Sequence, residues 1–121
     1  MEWSLFLDKA ASTAEIHVVV HNGDEEARTP IWIVTAGGAP YVRSYRAETG
    51  HWYQHVRAEC AANVEIGDDI VDATVHKVTD PAVLAAVSAA YRTKYAGEAE
   101  VDDMVSPPVV ATTLELRPAG A

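Results

Sequence analysis

The sequence predicts a mainly β (α+β) fold, a six-stranded antiparallel barrel with one main helix over about 81–96 and short flanking helices. Tight-turn pairs such as Asn22-Gly23 and Gly37-Gly38 follow several of the predicted strands, which indicates antiparallel neighbours. A single long helical pattern cannot supply the repeated crossovers of a parallel sheet. The length of 121 residues suits one domain with its own core, so we expect a single domain over 1–121.

The N-terminal half begins with a helical spacing of apolar residues over 3–11. Residues 15–21 then alternate apolar and polar side chains, which predicts a strand that ends at the Asn22-Gly23 turn. Residues 31–36 (IWIVTA) are β-branched and aromatic and predict a buried strand. With residues 41–46 (YVRSYR) this strand is expected to form a hairpin around Gly37-Gly38.

The C-terminal half contains the main helix. Asp80 is a good N-cap, Pro81 suits the first helical position, and Gly97 is a typical stop. Flanking segments carry weaker signals. Residues 51–61 suit a short helix or an extended crossover, and we favour an irregular stretch or one helical turn. We also expect a short acidic helix over 98–104, extended chain at Pro107-Pro108, and strands over 63–66, 69–78 and 111–118.

The charge balance excludes some partners. The net charge is −9 and the isoelectric point is near 4.8, whereas nucleic acids and anionic membranes require a basic surface. Cys60 is the single cysteine, so no intrachain disulfide forms, as is typical of a reducing cytoplasm. We find no signal peptide and no apolar run of about 18 residues, and therefore expect a cytoplasmic protein that binds neither nucleic acid nor membrane.

The segment from Thr29 to Tyr53 concentrates basic and aromatic side chains. Four of the nine Lys and Arg residues lie in or beside it, interleaved with five aromatic residues: Arg28, Arg43, Arg46 and Arg57, with Trp32, Tyr41, Tyr45, Trp52 and Tyr53. Arginine binds phosphate with two parallel hydrogen bonds and aromatic rings stack on planar ligands, so the segment predicts an anion-binding rim. The alternative is that these arginines pair with surface glutamates and the rings belong to the core.

Other site types receive little support. His51, His55 and Glu59 would share one helix face, but no HExxH pattern is present and we predict no metal site. No GxSxG elbow, P-loop or GxGxxG is found, which argues against those hydrolases and nucleotide sites.

Several motifs together resemble a bacterial family of small uncharacterised proteins: TPIWIV, YVRSYR followed by G-x-W-Y, AAYRTKY, and MVSPP with ATTLEL. The resemblance covers about residues 3–118. That family has the flavin-type split β-barrel fold of pyridoxamine phosphate oxidases and deazaflavin-dependent reductases. The resemblance therefore implies a split β-barrel and a homodimer with a ligand groove at the subunit interface.

The same resemblance assigns site residues. It implies that FMN or a deazaflavin binds with its phosphate on Arg43, Ser44 and Arg46, while Trp32 lines the ring and Trp52 flanks it. The implied function is a flavin- or deazaflavin-dependent oxidoreductase acting on a small molecule. The chain departs from the family pattern in lacking the lysine that many flavin-binding members place after the serine.

Two alternatives to this oxidoreductase remain. One is a cofactor-free isomerase or cyclase of specialised metabolism that uses the same groove, with Tyr45, Tyr53 or His55 as general acid or base. The other is a non-catalytic module in which only shape and the arginines matter.

Overall fold

The computed structural model describes residues 2–120. Its seven strands are β1 (Ile16–Asn22), β2 (Glu25–Ile31), β3 (Val34–Ala36), β4 (Ala39–Val42), β5 (Ala61–Ile66), β6 (Asp69–Lys77) and β7 (Leu114–Pro118). They form one sheet in the order β2-β1-β5-β6-β7-β4-β3, and every pairing is antiparallel. The predicted antiparallel α+β class is confirmed, with seven strands in place of six.

The additional strand is β2, which the sequence pattern did not indicate. It forms a hairpin with β1 in which Asn22 pairs with Glu25, and Gly23 takes the positive φ of 66° in the turn. Most of its residues are exposed because β2 is an edge strand, so its sequence (EEARTPI) shows no apolar alternation. Its charged side chains suit an edge that must avoid pairing with other chains.

The sheet curls until its two edges meet. β2 and β3 are the outermost strands of the sheet, yet only Trp32 and Ile33 separate them in the chain. Consecutive Cα atoms lie 3.8 Å apart, so Ile31 and Val34 are within about 11 Å of each other. The predicted single strand over 31–36 is therefore wrong: the chain leaves one edge at Ile31 and joins the other at Val34.

Five helices accompany the sheet: α1 (Trp3–Ser12), α2 (His51–Glu59), α3 (Pro81–Lys94), α4 (Val101–Met104) and α5 (Pro107–Val110). The predicted main helix is confirmed as α3, and the Asp80 carboxylate caps it by accepting a hydrogen bond from the Ala82 N–H at 2.9 Å. Gly97, with a φ of 89°, follows it as predicted.

Two segments are more helical than the favoured expectation for each. Residues 51–59 form a regular helix, because Trp52, Tyr53 and Val56 fall on one buried face. Pro107-Pro108 begins α5 and does not force extended chain, since proline is tolerated in the first turn of a helix. The last strand also starts later than expected, at Leu114.

Two apolar clusters lie on opposite faces of the β3–β4 hairpin. The larger fills the barrel, where α1 and α2 contribute Phe6, Trp52 and Val56. In the smaller cluster, side chains of α3, α4 and α5 pack against Val34 and Tyr41. The chain that leaves β4 after Val42 therefore passes between both clusters, and the candidate site begins there.

Candidate functional site

The main candidate cavity lies where the two edges of the sheet meet. Its volume is about 890 Å³, within the range of small-molecule sites. Four stretches of chain supply most of its lining: residues 29–32 at the end of β2, 43–46 after β4, 49–52 at the start of α2, and the connection between α3 and α4. The position of this cavity therefore follows from the closure of the barrel at Trp32.

Six of the eight predicted site residues line the cavity, namely Trp32, Arg43, Ser44, Tyr45, Arg46 and Trp52. The other two, Tyr53 and His55, are not among its lining residues. Tyr53 is buried in the barrel core, because the regular turn of α2 directs it there. Their acid–base roles therefore find no support in this geometry.

The loop after β4 differs from its prediction. Residues 43–46 were expected to continue a strand with alternating faces, but β4 ends at Val42. As a result, Arg43 and Ser44 are both buried, each 1% exposed, whereas Tyr45 and Arg46 are exposed. The loop presents two buried polar groups to the cavity floor and two exposed ones to its mouth.

Arg43 is bound on several sides by protein groups. Its Nε donates to Thr113 Oγ1 at 2.8 Å, and its Nη1 donates to Ser88 Oγ at 2.9 Å and to the Met104 carbonyl at 3.0 Å. Its Nη2 donates to the Leu84 carbonyl at 3.1 Å. The guanidinium therefore joins α3, α4 and the start of β7 beneath the cavity.

These contacts limit what Arg43 can do for a ligand. A guanidinium has five N–H donors, and four are used here, which leaves too few for the bidentate phosphate contact expected from the resemblance. No carboxylate pairs with Arg43 among residues 2–120, and burial lowers its pKa. Arg43 thus places a positive charge without a counterion under the cavity, but most of its N–H donors are not free to bind a ligand.

Ser44 presents a buried hydroxyl without a partner. Its backbone N–H donates to Thr112 Oγ1 at 2.9 Å, but its Oγ has no hydrogen-bond partner within the described part of the chain. Gly50 approaches this hydroxyl so closely that a Cβ on Gly50 would lie 2.5 Å from Ser44 Oγ. A buried polar atom without a partner costs free energy, so this hydroxyl is suited to receive a ligand.

The start of α2 lies beside Ser44. Gly50 is its N-cap and has no side chain, so no side-chain group caps the first N–H donors of the helix. A free helix N-terminus attracts anions through these donors and the helix dipole. Arg46, exposed and without an ion pair among residues 2–120, lines the same cavity. Ser44, Arg46 and the α2 N-terminus together form an anion-binding corner.

The aromatic wall is held by residues at the end of α3. Trp32 stacks on Tyr95 with centroids 3.9 Å apart, and the Tyr95 hydroxyl donates to the Ala14 carbonyl at 2.6 Å. Lys94 Nζ donates to the Ile33 carbonyl at 2.6 Å and so fixes the residue after Trp32. Trp52 lines the cavity from α2 and is only 8% exposed. The two indoles are therefore held in place.

Tyr45 links the loop after β4 to α4 at the cavity mouth. Its hydroxyl donates to Asp103 Oδ2 at 3.2 Å. The negative charge of Asp103 and this hydrogen bond raise the pKa of Tyr45 above its ordinary value. The phenol therefore stays protonated at neutral pH, which makes it a hydrogen-bond donor and not a general base.

Three cavity carboxylates were missed from the sequence. Glu15 comes from the connection between α1 and β1, and Glu98 and Glu100 come from the connection between α3 and α4. Their distance in sequence from the arginine-rich segment left no signal. His51, the first residue of α2, also lines the cavity and was considered only as a metal ligand.

The predicted arginine cluster is dispersed. Arg28 forms ion pairs with Glu26 and Glu65 on the sheet, and Arg57 is exposed on α2 outside the cavity lining. The cavity wall therefore carries two arginines and three glutamates, and its anion-binding character is confined to one corner.

The described residues can also be compared with the requirements of a metal site and of a membrane-spanning helix. Among residues 2–120, no three His, Cys, Asp or Glu side chains converge in a way that could hold a metal ion. The helices of this range are all too short or too polar to cross a membrane.

Similar solved structures share the fold. A candidate pyridoxamine 5′-phosphate oxidase from Listeria innocua superposes with a TM-score of 0.65 at 13% identity, covering 96% of this chain and 92% of that one. A conserved hypothetical protein from Mycobacterium tuberculosis gives 0.66 at 16% identity, with coverage of 97% and 79%. An FAD binding protein from Mycobacterium smegmatis gives 0.60 at 17% identity, with coverage of 98% and 91%. The split-barrel fold expected from the sequence is confirmed.

A family model also matches the sequence. The family is described as "Uncharacterized protein conserved in bacteria (DUF2255)", and the match spans residues 6–116. No curated protein sequence is significantly similar to the chain.

Proposed function

Because the chain belongs to this bacterial family, DUF2255, and has a cavity at the split of its barrel, we propose that it is a flavin- or deazaflavin-dependent oxidoreductase. The observation that carries the proposal is the buried, unpartnered hydroxyl of Ser44 beside the uncapped start of α2. Two structural neighbours, an FAD binding protein and a candidate pyridoxamine 5′-phosphate oxidase, support the same ligand class.

The anion-binding corner fits the phosphate of such a cofactor. Ser44 Oγ and the first N–H groups of α2 would donate to phosphate oxygens, and Arg46 would add a charged, bidentate contact. Arg43 would act from beneath, through its charge, since most of its donors are already used. This division of roles differs from that implied by the resemblance, where Arg43 is itself a direct ligand.

The aromatic wall fits the planar part of the cofactor. Trp32 is backed by Tyr95 and Trp52 is nearly buried, so both indoles offer surfaces fixed before a ligand arrives. Fixed aromatic groups lose little conformational entropy on binding. A bound flavin or deazaflavin would supply the hydride or electron transfer, and the chain would position it and exclude water.

Proton transfer would fall to groups that line the cavity. His51 lines the cavity at the start of α2, and imidazole is the side chain that most often serves as a general acid or base. Tyr45, which stays protonated and donates to Asp103, would accept a hydrogen bond from the ligand. We assign neither role to Tyr53 or His55, because neither lines the cavity.

The direct test is titration of the purified protein with FMN, riboflavin and a deazaflavin phosphate, followed by flavin fluorescence. We expect FMN to bind at least about tenfold more tightly than riboflavin, because only FMN reaches the anion-binding corner. Ser44→Ala should remove most of this difference. Ser12→Ala, at the exposed end of α1, is the matched control and should leave the difference unchanged.

A colourless protein that binds none of these cofactors would overturn the proposal and favour a cofactor-free enzyme or a binding module. The homodimer implied by the resemblance stays a prediction, which light scattering of the same sample checks.

A further inference from the structure

We propose that the cavity accepts a positively charged substrate, which Glu15, Glu98 and Glu100 recognise. The inference rests on the proposed function only in taking this cavity as the ligand site. The inference adds the charge of the substrate, the second molecule that would bind beside the cofactor in this cavity.

The three carboxylates have no partners of their own. All three side chains are exposed, and none makes an ion pair or a side-chain hydrogen bond within residues 2–120. They come from the α1–β1 and α3–α4 connections, whereas the anion-binding corner comes from the β4–α2 connection. Opposite charges therefore reach the cavity on different stretches of chain.

Ser44 supplies an independent indication that a ligand occupies this cavity. Its hydroxyl is 1% exposed and without a partner in the described part of the chain, and it lines the same cavity as the carboxylates. Once an anionic group is held at that corner, three unpaired carboxylates elsewhere on the wall disfavour further negative charge in the cavity. They favour a cationic group there.

Two of the carboxylates, Glu15 and Glu100, also lie near the aromatic groups that a planar ligand would contact. The charge of Glu15 acts on Tyr95, the ring behind Trp32, and the charge of Glu100 acts on Tyr45 at the mouth. A planar cation placed against this wall would therefore lie close to negative charge. A planar anion of the same size would be repelled from this wall, which lies on stretches of chain other than those of the anion-binding corner.

Two dyes of similar shape and opposite charge test the proposal. Methylene blue is a planar cation and resorufin, above neutral pH, a planar anion; their binding is measured by absorbance and fluorescence anisotropy at low salt. We expect methylene blue to bind about tenfold more tightly, and the preference to fade at high salt. Glu98→Gln/Glu100→Gln should reduce the preference about fivefold.

The matched control separates the cavity from the overall charge. Glu25→Gln/Glu59→Gln removes the same two charges at exposed positions on β2 and α2 outside the cavity lining, and should change the preference less than about twofold. Equal losses in both double variants would show that net charge alone attracts the dye, and would overturn the inference. So would a preference that survives Glu98→Gln/Glu100→Gln.

Titrating FMN in the same samples separates this inference from the proposed function. If FMN binds and the dye preference is absent, the substrate inference fails alone. If the dye preference depends on Glu98 and Glu100 while FMN does not bind, the flavin proposal fails and the cation-selective cavity stands.

Discussion

The ring of Tyr95 lies parallel to the indole of Trp32, with centroids 3.9 Å apart and 3° between the planes. The Tyr95 hydroxyl also accepts a hydrogen bond from the Ile33 N–H at 3.1 Å and donates one to the Ala14 carbonyl at 2.6 Å. Trp32 and Ile33 are the two residues that join the edges of the sheet. Tyr95, together with Lys94, therefore holds the point at which the barrel closes.

Removing the Tyr95 hydroxyl should weaken the fold without moving the ring. We expect Tyr95→Phe to lower the free energy of unfolding by about 1–3 kcal/mol, because the buried Ile33 N–H loses its partner. Tyr95→Leu should cost roughly 3 kcal/mol or more, since the stacked ring is lost as well. Urea denaturation followed by tryptophan fluorescence measures both.

Tyr45→Phe is the control for these variants. Tyr45 is 54% exposed, so its hydrogen bond to Asp103 should contribute less than about 0.5 kcal/mol. If Tyr95→Phe were as mild as Tyr45→Phe, the Tyr95 hydroxyl would not be what holds the Ile33 peptide.

Prediction from sequence succeeded where local signals agree with the packing. The Asp80-Pro81 cap, the apolar spacing and Gly97 indicated α3, and Gly37-Gly38 indicated the β3–β4 hairpin. Prediction failed where tertiary packing, and not the local sequence, determines the secondary structure. β2 carries no alternation because it is an exposed edge, and the break at Trp32 follows from the closure of the barrel.

The site was partly predictable for the same reason. The arginine-rich segment located the cavity, and Trp32, Ser44 and Arg46 all line it. The burial of Arg43 was not predictable, because its partners lie 41 to 70 positions away in the chain. The cavity glutamates come from connections that lie outside the arginine-rich segment.

Arg43 should tolerate no conservative replacement. Arg43→Lys keeps the charge but replaces a planar fork with a single ammonium, so it cannot serve Thr113, Ser88 and Leu84 together. We expect a loss of about 2–4 kcal/mol in the free energy of unfolding, measured by urea denaturation. Arg46→Lys, at an exposed position, should change stability by less than about 0.5 kcal/mol and is the control.

Arg43→Met distinguishes the charge from the hydrogen bonds. Methionine fills part of the space without a buried charge, and removing an uncompensated charge offsets some of the lost contacts. Arg43→Met should therefore be no less stable than Arg43→Lys. If the methionine variant proved far less stable, a buried charge without a counterion would be a wrong description of Arg43.

Ser44 and Gly50 should be energetically coupled. Gly50→Ala would place a methyl group 2.5 Å from Ser44 Oγ, so we expect it to destabilise the fold by about 1–3 kcal/mol. Ser44→Ala removes a buried hydroxyl without a partner and should be neutral or slightly stabilising.

The double variant Gly50→Ala/Ser44→Ala tests that coupling directly. With the hydroxyl gone, the methyl group meets less obstruction, so the double variant should recover about 1 kcal/mol relative to Gly50→Ala. Thermal denaturation of the four proteins gives the cycle. Additive effects would mean that Ser44 and Gly50 do not touch.

Lys94 should make the stability rise with pH in the alkaline range. Burial lowers the pKa of Lys94 from its ordinary value of 10.5 to about 8. Between these values the unfolded chain binds a proton that the folded chain has released, so the free energy of unfolding increases with pH and the gain is lost again as pH falls through 8. We expect a rise of roughly 1–3 kcal/mol from this group.

Tyr95 sets the upper end of the pH range over which stability rises. Burial raises the pKa of Tyr95 to about 12, so above pH 10 the unfolded chain loses its phenolic proton first and stability falls as pH rises. Urea denaturation between pH 7 and pH 10 therefore isolates the contribution of Lys94.

Lys94→Met should be less stable overall, because the carbonyls of Ala10 and Ile33 lose their donor, and its stability should no longer rise over this range. Lys77→Met, at an exposed position, should keep the rise of the unmodified chain; a parallel rise in Lys94→Met would assign the effect to another group.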